Sequence, residues 1–290
     1  MGQEIRVFTT SDFELKHQVK KCLVSTKYGK EEYDFNEAGF LTKSVTRFND
    51  TDYDVIYYKF NNNELIEKRS ESYRNNVFDS NTSIAHFYEI DTIPVRTVTE
   101  KIISYDKEFL DQYVYEYNTA GNLVKIMRTN NNGTDETIIS YKNYKGEHTV
   151  TYTMNDELLK SIRTSNQKNK DNSVQEVVLT KEYLDGEANK AFEEVFDVSG
   201  KLLARQMFEY DEKKKNFVPT TRTTYEYDSN NMLISETAKT ENITEKKAYI
   251  YQYDREEDGN WIKQIVTPDN TYTTRKIEYY ESGNVAEEEE

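Results

Sequence analysis

The stretch Tyr225-Glu226-Tyr227-Asp228-Ser229-Asn230-Asn231-Met232-Leu233 decides the fold of this chain. Two aromatic residues alternate with a polar one, a short polar run follows, and an apolar residue resumes the pattern. Alternating aromatic residues are typical of a half-buried β-strand, and Asp or Asn followed by small polar residues is typical of a chain reversal. The stretch therefore predicts the tip of a β-hairpin.

Copies of this pattern recur along the chain, and the residue before each Asn or Asp serves as a register mark. The marks fall at Phe35, Phe60, Ile90, Tyr117, Met154, Phe196, Tyr227, Tyr253 and Tyr279. The intervals between them are 25, 30, 27, 37, 42, 31, 26 and 26 residues. A repeat of this length predicts an array in which each unit buries its apolar face against its neighbours.

The turns need residues that tolerate a positive φ, a demand that glycine and asparagine meet at low cost. The predicted structural turn residues are Gly39, Gly121, Gly200, Asn231 and Gly283, four residues after their marks, and Gly259 in a longer turn. The Asn or Asp that follows the mark is expected to accept hydrogen bonds from the backbone of the turn.

The predicted fold class is all-β, with tandem hairpins forming one continuous, twisted or wound antiparallel sheet. Residues 1–30, with strand-like runs at Ile5–Thr9 and Gln18–Thr26, are expected to cap an array of about nine hairpins over residues 31–285. Residues 286–290 are predicted to be an acidic disordered tail, and Ser165–Ser173 a mobile loop. Whether the sheet closes on itself is left open by the pattern.

Composition restricts the partners. Hydrophobic residues make up 36% of the chain, charged residues 31% and aromatic residues 13%, which favours a thin sheet with a large wetted surface. The net charge of −15 argues against nucleic acid and anionic membranes, and no apolar run is long enough for membrane insertion. The single cysteine, Cys22, excludes an internal disulfide and is expected to pack inside a strand.

The hairpin motif resembles the YD repeats of the bacterial RHS family. The best matches are Tyr115–Leu123, Tyr225–Leu233, Tyr251–Trp261 and Ile277–Val285. The resemblance implies a wound β-sheet and an exported bacterial setting (periplasm, outer-membrane surface or secreted), with a signal peptide already removed ahead of Met1-Gly2. The chain is shorter than a toxin-sized shell and lacks the self-cleavage motif of an RHS core, so the resemblance supplies no catalytic residue.

Motifs for catalysis, cofactors and resident metals are missing from the sequence, so we predict no catalytic, cofactor-binding or metal residues. His17, His86 and His148 stand far apart and are expected to be surface or packing residues. The run Asp50-Thr51-Asp52-Tyr53-Asp54 offers three carboxylates for a weak Ca²⁺ site, against solvated turn acids as the alternative, and the same choice applies to residues 254–258. Trp261 occupies a slot held by leucine in other copies and is expected to be buried.

The tyrosine-rich strands are the candidate ligand-binding surface, as opposed to a structural ladder of tyrosines between neighbouring hairpins. The positions are Tyr115, Tyr117, Tyr225, Tyr227, Tyr251 and Tyr253. The leading hypothesis is a non-enzymatic binding or scaffold protein of the bacterial envelope, with a glycan or a surface protein as ligand. The alternatives are an immunity or accessory protein of an interbacterial toxin system, whose acidic surface masks a basic toxin, and a glycan-directed hydrolase. The sequence does not specify an oligomeric state.

Overall fold

The computed structural model describes residues 5–168, 172–255 and 258–281, and this part of the chain consists of β-strands and one short 3-10 helix. The 3-10 helix spans Thr10–Phe13. The strands are β1 Val19–Thr26, β2 Gly29–Phe35, β3 Leu41–Arg47, β4 Tyr53–Asn61, β5 Glu64–Arg74, β6 Val77–Asp91, β7 Thr97–Ser104, β8 Phe109–Tyr117, β9 Leu123–Asn130, β10 Gly133–Tyr144, β11 Glu147–Met154, β12 Glu157–Lys168, β13 Val174–Leu184, β14 Glu187–Phe196, β15 Leu202–Asp211, β16 Asn216–Tyr227, β17 Leu233–Lys239, β18 Thr244–Tyr253, β19 Trp261–Thr267 and β20 Thr271–Tyr279.

All strands of the described residues belong to a single sheet of 20 strands, in which each strand pairs antiparallel with the next one in the chain. The ends of the meander also meet, because β20 pairs with β1 and places Ile277 opposite Cys22. The sheet is therefore a closed barrel. The prediction of an all-β antiparallel sheet is confirmed, and its closure, left open by the sequence, removes every free edge.

The barrel has two rims. The turns after the even-numbered strands β2 to β18, together with the junction between β20 and β1, form the repeat rim; the turns after the odd-numbered strands form the opposite rim. Most register marks end strands at the repeat rim. Met154 does not, because β11 runs toward the opposite rim, so assigning this copy to the series was wrong.

The turn that belongs to the series at this point is Lys145-Gly146, after β10, and the next even-numbered strand, β12, ends at Lys168. With Tyr144 and Lys168 as marks, the intervals from Tyr117 to Phe196 become 27, 24 and 28 residues, close to those elsewhere in the chain. The two long intervals of 37 and 42 residues thus correspond to three intervals of ordinary length in the structure. Strand β12 also extends to Lys168 in the loop predicted at Ser165–Ser173, of which residues 169–171 lie outside the described part.

Three turns at the repeat rim share one hydrogen-bond pattern. Oδ1 of Asp228 accepts the backbone N–H groups of Asn230 and Met232 at 2.8 and 2.9 Å. Asn118 and Asp197 accept the corresponding pairs of N–H groups at 2.8–3.0 Å. A strand bulge precedes the Asn or Asp in each of these three hairpins, so the turn and the bulge form one unit.

The turn glycines act in two ways. Gly39, Gly121 and Gly200 have φ of 82°, 80° and 82°, and Asn231 has φ of 69°. Gly259 differs, since a Cβ atom there would lie 2.7–2.8 Å from Asp254 Oδ1 and the Arg255 backbone. That glycine is required by a close approach of the chain. Gly283 and the predicted acidic tail lie outside the described residues.

The two faces of the sheet differ in exposure. In β16, Tyr225 and Tyr227 are half-buried, whereas Glu226 between them is exposed. In β18, Tyr251 is half-buried and its neighbour Ile250 is 55% exposed. The strand register continues the less exposed face around the ring, and this is the inner face of the barrel. Twenty strands enclose a lumen wider than wall side chains alone can fill.

Residues 5–18, the N-terminal segment, lie against the inner face near the repeat rim. The segment forms a single strand-like bridge, Thr9 to Phe40, instead of the strand predicted at Ile5–Thr9. Backbone hydrogen bonds join it to the turn after β2: Leu41 N–H donates to Phe8 C=O at 2.9 Å, and Thr10 N–H donates to Gly39 C=O at 2.9 Å. The strand that follows, β1, is the closing strand of the barrel.

Removing the acceptor of a repeat turn tests the role of the Asp and Asn positions. We expect Asp228→Ala to lower the free energy of unfolding by about 1–2 kcal/mol, because two backbone N–H groups lose their partner. Asp228→Asn should change it by less than about 0.5 kcal/mol, since Asn118 makes the same bonds in its own turn. Urea unfolding followed by circular dichroism measures both. Equal losses in the two variants would contradict this assignment.

Candidate functional site

The six tyrosines predicted to bind ligand all project from the inner face, but the structure does not make them equivalent. Tyr115 is 1% exposed, and its hydroxyl donates to Glu100 Oε2 at 2.8 Å. Tyr115 is therefore a core residue, and its assignment to an exposed platform is corrected. Tyr117 packs at the edge of the same buried cluster, with the Arg96 guanidinium 6.0 Å from its ring centre.

Tyrosine hydroxyls on the inner face hold the bulges of neighbouring hairpins. Tyr227 donates to Leu202 C=O at 2.9 Å, and Tyr251 donates to Leu233 C=O at 2.9 Å. Tyr141 makes the equivalent bond to Leu123 C=O at 2.7 Å. Each acceptor is the first residue of a strand that leaves the repeat rim. The rings are thus anchored through their hydroxyls.

The N-terminal segment covers only part of the inner face. Two buried hydrophobic clusters draw on this segment, on β1–β11 and on β20, and include the partly buried side chains of Val7 and Phe8. Within the described residues, neither cluster includes a side chain of β12–β19. The segment also reaches the start of β19, where Trp261 donates to Glu14. The inner face of β12–β18 is therefore the part of the barrel wall that lies outside both clusters.

This uncovered section carries a group of half-buried aromatic side chains on β14, β16 and β18, which we call the aromatic wall. Its members are Phe192, Phe196, Tyr225, Tyr227, Tyr249, Tyr251 and Tyr253. Tyr251 and Tyr253 contact each other with ring centres 6.3 Å apart. The ligand prediction named four of these seven residues. Phe196 was a register mark but was not proposed as a ligand residue, and Phe192 and Tyr249 could have been found only by extending the alternation further back along each strand.

Ion pairs lie between the rings of the aromatic wall. Arg205 Nε lies 3.0 Å from Glu194 Oε1, and the Arg205 guanidinium is 5.9 Å from the Phe192 ring centre. Lys247 Nζ lies 3.1 Å from Glu236 Oε1. Burial raises the pKa of the Tyr249 hydroxyl to about 12, and the Glu236 carboxylate adds to the shift. The wall therefore presents neutral rings and paired charges at neutral pH.

A buried polar network lies on the covered side of the inner face. Glu100 Oε1 accepts from His86 Nδ1 at 2.7 Å and from the Tyr88 hydroxyl at 3.0 Å, and Oε2 accepts from Tyr115. Burial raises the pKa of the Glu100 carboxyl, but the hydrogen bonds from His86, Tyr115 and Tyr88 outweigh it, so the pKa is lowered from its usual value. The network keeps a buried carboxylate ionised and joins β6, β7 and β8.

The other residues singled out by the sequence are engaged in hydrogen bonds or ion pairs within the protein. Trp261 is 5% exposed and donates Nε1–H to Glu14 Oε2 at 3.2 Å. The Arg275 guanidinium carbon lies over its ring, 3.5 Å from the ring centre. Asp52 accepts hydrogen bonds from Asn49 in its own turn and from the Asn75 N–H in the turn after β5. Asp54 pairs with Arg74 at 2.9 Å. Within the described residues, no three His, Cys, Asp or Glu side chains are grouped to hold a metal ion. Glu256 and Glu257 lie outside the described part.

Comparisons with known proteins add little. No family model matches the chain, and no curated protein matches it. Among solved structures, the chain is similar to a porin-like protein from Bacteroides vulgatus ATCC 8482, with 9% sequence identity and a TM-score of 0.24. The alignment covers 92% of this chain and 100% of the porin-like chain. A likeness this weak supports no inference, and the resemblance to YD repeats remains a prediction. In the described residues no helix is long and apolar enough to span a membrane.

The Glu100 network predicts a pH-dependent contribution to stability. The lowered pKa means that ionised Glu100 stabilises the fold above its unfolded pKa of about 4.5, and that this stabilisation is lost as the pH falls through the lower folded value. Glu100→Gln should cost about 2–4 kcal/mol at pH 7, because three donors lose a shared carboxylate. The cost should shrink below pH 4.

Thermal unfolding between pH 3 and pH 8 measures this dependence. The control is Glu226→Gln, an exposed residue of β16 on the outer face, which we expect to be nearly neutral at every pH. A Glu100→Gln penalty that stays constant down to pH 3 would show that packing, and not the charge, is what Glu100 contributes.

Proposed function

We propose that the protein is a non-enzymatic binding protein that holds a glycan against the aromatic wall inside its barrel. The observation that carries the proposal is the unequal cover of the inner face. The N-terminal segment packs against β1–β11, β20 and the start of β19, while the aromatic rows of β14, β16 and β18 stay half-exposed to the lumen. Ligand sites favour concave surfaces with aromatic walls and a few fixed polar groups.

Balanced charge favours a neutral glycan as the ligand. Arg205 is paired with Glu194 and Lys247 with Glu236, so the wall has no excess of either sign at these positions. The apolar face of a sugar ring stacks on an aromatic ring, and its hydroxyls can both donate to carboxylates and accept from cations. Because the ion pairs already fix these side chains, binding costs little side-chain entropy.

The same pairing supports a binding role over hydrolysis. Glycoside hydrolysis needs two carboxyl groups with separated pKa values, one of them free to protonate the leaving group. Two carboxylates that lie among the aromatic rings, Glu194 and Glu236, are each held by a cation. We therefore assign them to positioning and recognition.

We include a location in the bacterial envelope in this proposal because the YD-repeat resemblance implies it. The outer face carries ion pairs, such as Lys21 with Glu32 at 3.3 Å and Arg47 with Glu32 at 3.0 Å, and this favours contact with water. Placing charged side chains against lipid is costly. A basic protein ligand, as in a toxin-associated role, is the second candidate, favoured by the net charge of −15.

Loss of two wall tyrosines tests the proposal. A glycan array first identifies a neutral ligand, and isothermal titration calorimetry then compares variants. We expect the double variant Tyr225→Ala and Tyr249→Ala to weaken binding by about tenfold or more, because aromatic side chains dominate such contacts. The matched control is Tyr272→Ala, a 60% exposed tyrosine on the outer face of β20, which should bind like the wild type.

Three results would count against the proposal. An empty array combined with tight binding of a basic protein would favour the second candidate. Equal losses in the wall variant and the control would mean that the ligand is held elsewhere. Cleavage of an array hit by the protein would restore the hydrolase hypothesis. The fluorescence of Trp261, which lies on the covered side of the inner face, reports whether each variant is folded.

A further inference from the structure

A cavity of about 370 Å³ lies beside the outer face, away from the aromatic wall. Strands β3 and β4 pair from Arg47–Tyr53 to Lys43–Tyr57, and the cavity lies at the end of this ladder toward the repeat rim. Its lining comes from three strands: Thr42, Tyr57, Tyr58, Lys59, Glu67, Arg69 and Glu71. Its volume lies within the range of about 300–1,000 Å³ that small-ligand sites occupy.

A fixed cluster of charges forms one side of this cavity. Arg69 is hydrogen-bonded to Glu67 on the same face of β5. Glu71 accepts the hydroxyl of Tyr73 at 2.9 Å and also that of Tyr105. These bonds hold the cluster in one arrangement before any ligand arrives, so that little entropy would be lost on binding.

The other side of the cavity offers an aromatic ring. Tyr57 is 39% exposed and lies opposite Arg69 in the strand register, with Lys43 Nζ 5.8 Å from its ring centre. Behind the cluster, the rings of Tyr53 and Tyr73 stack at 4.8 Å. The ring, the donors and the acceptors thus converge on one space.

We propose that this outer cavity binds one neutral sugar residue. The cations Lys59 and Arg69 balance the anions Glu67 and Glu71, which disfavours an acidic or basic ligand. A polyol of about six carbons matches both the volume and the mixture of donors and acceptors, and its C–H face suits the Tyr57 ring. The site stands apart from the aromatic wall and does not rest on the function proposed for it.

Saturation-transfer NMR with glucose, galactose, mannose and N-acetylglucosamine tests the site. We expect saturation transfer to at least one of these sugars, with a dissociation constant in the millimolar range typical of single sugar residues, and a loss of about tenfold or more in Tyr57→Ala. Glu67→Gln should weaken binding to a smaller extent, because the amide keeps one acceptor but releases Arg69.

The matched control is Tyr272→Ala, which removes an exposed outer-face tyrosine that also has a lysine 5.4 Å from its ring centre but is not part of the cavity. It should bind like the wild type, as should the Tyr225→Ala and Tyr249→Ala double variant. The absence of transfer to all four sugars overturns the proposal, and so does unchanged binding in folded Tyr57→Ala. A signal lost only in the wall variant would assign the sugar to the lumen instead.

Discussion

The pairing of β20 with β1 is the interaction on which the rest of the structure depends. It joins Ile277 to Cys22 across nearly the whole length of the chain and turns a meander of hairpins into a ring. An open sheet of these strands would expose two edges and would have no inside. Closure creates the inner face, and the different surroundings of its two sides then decide which aromatic residues become core and which remain accessible.

The N-terminal segment reinforces this closure from within. Arg275 of β20 donates to Phe13 C=O at 2.9 Å, and Trp261 of β19 donates to Glu14. Burial lowers the pKa of the Arg275 guanidinium, which still stacks on Trp261 and reaches into the segment. The segment therefore links the last strands to the turn after β2. It also occupies one side of a lumen that the side chains of the 20 strands alone would leave hollow.

Local chemistry made the hairpins predictable from sequence, and long-range pairing limited what else could be inferred. Asp228 and Asn231 define their turn within four residues, so the motif is readable without tertiary information. Met154 shows the limit, since Asn155 and Asp156 also adopt positive φ and form a tight turn, but on the opposite rim. A turn lies on the repeat rim if it follows an even-numbered strand and on the opposite rim if it follows an odd-numbered one. The strand number is known only when every hairpin has been counted, including the unmarked one at Lys145-Gly146.

In the candidate site, too, some features follow from local sequence and others from long-range pairing. Alternation placed the tyrosines on one face correctly, but nothing local distinguishes Tyr115, which meets Glu100, from Tyr225, which faces the lumen. That difference arises from the strands paired on either side and from where residues 5–18 lie. The Glu100 network joins residues of three strands, and no spacing in the sequence marks His86 as its partner.

Tyrosine suits both tasks that the inner face imposes. At the repeat rim a bulge leaves the first carbonyl of the next strand in need of a donor, and the hydroxyls of Tyr227 and Tyr251 supply one from the neighbouring strand. Phenylalanine would pack equally well but would leave that carbonyl unpaired. Because the hydroxyl is committed to the backbone, the ring is anchored on the inner face. The same bond that stabilises the hairpin thus preorganises the surface that we assign to ligand binding, which explains why a fold built from so few core residues can use so many tyrosines.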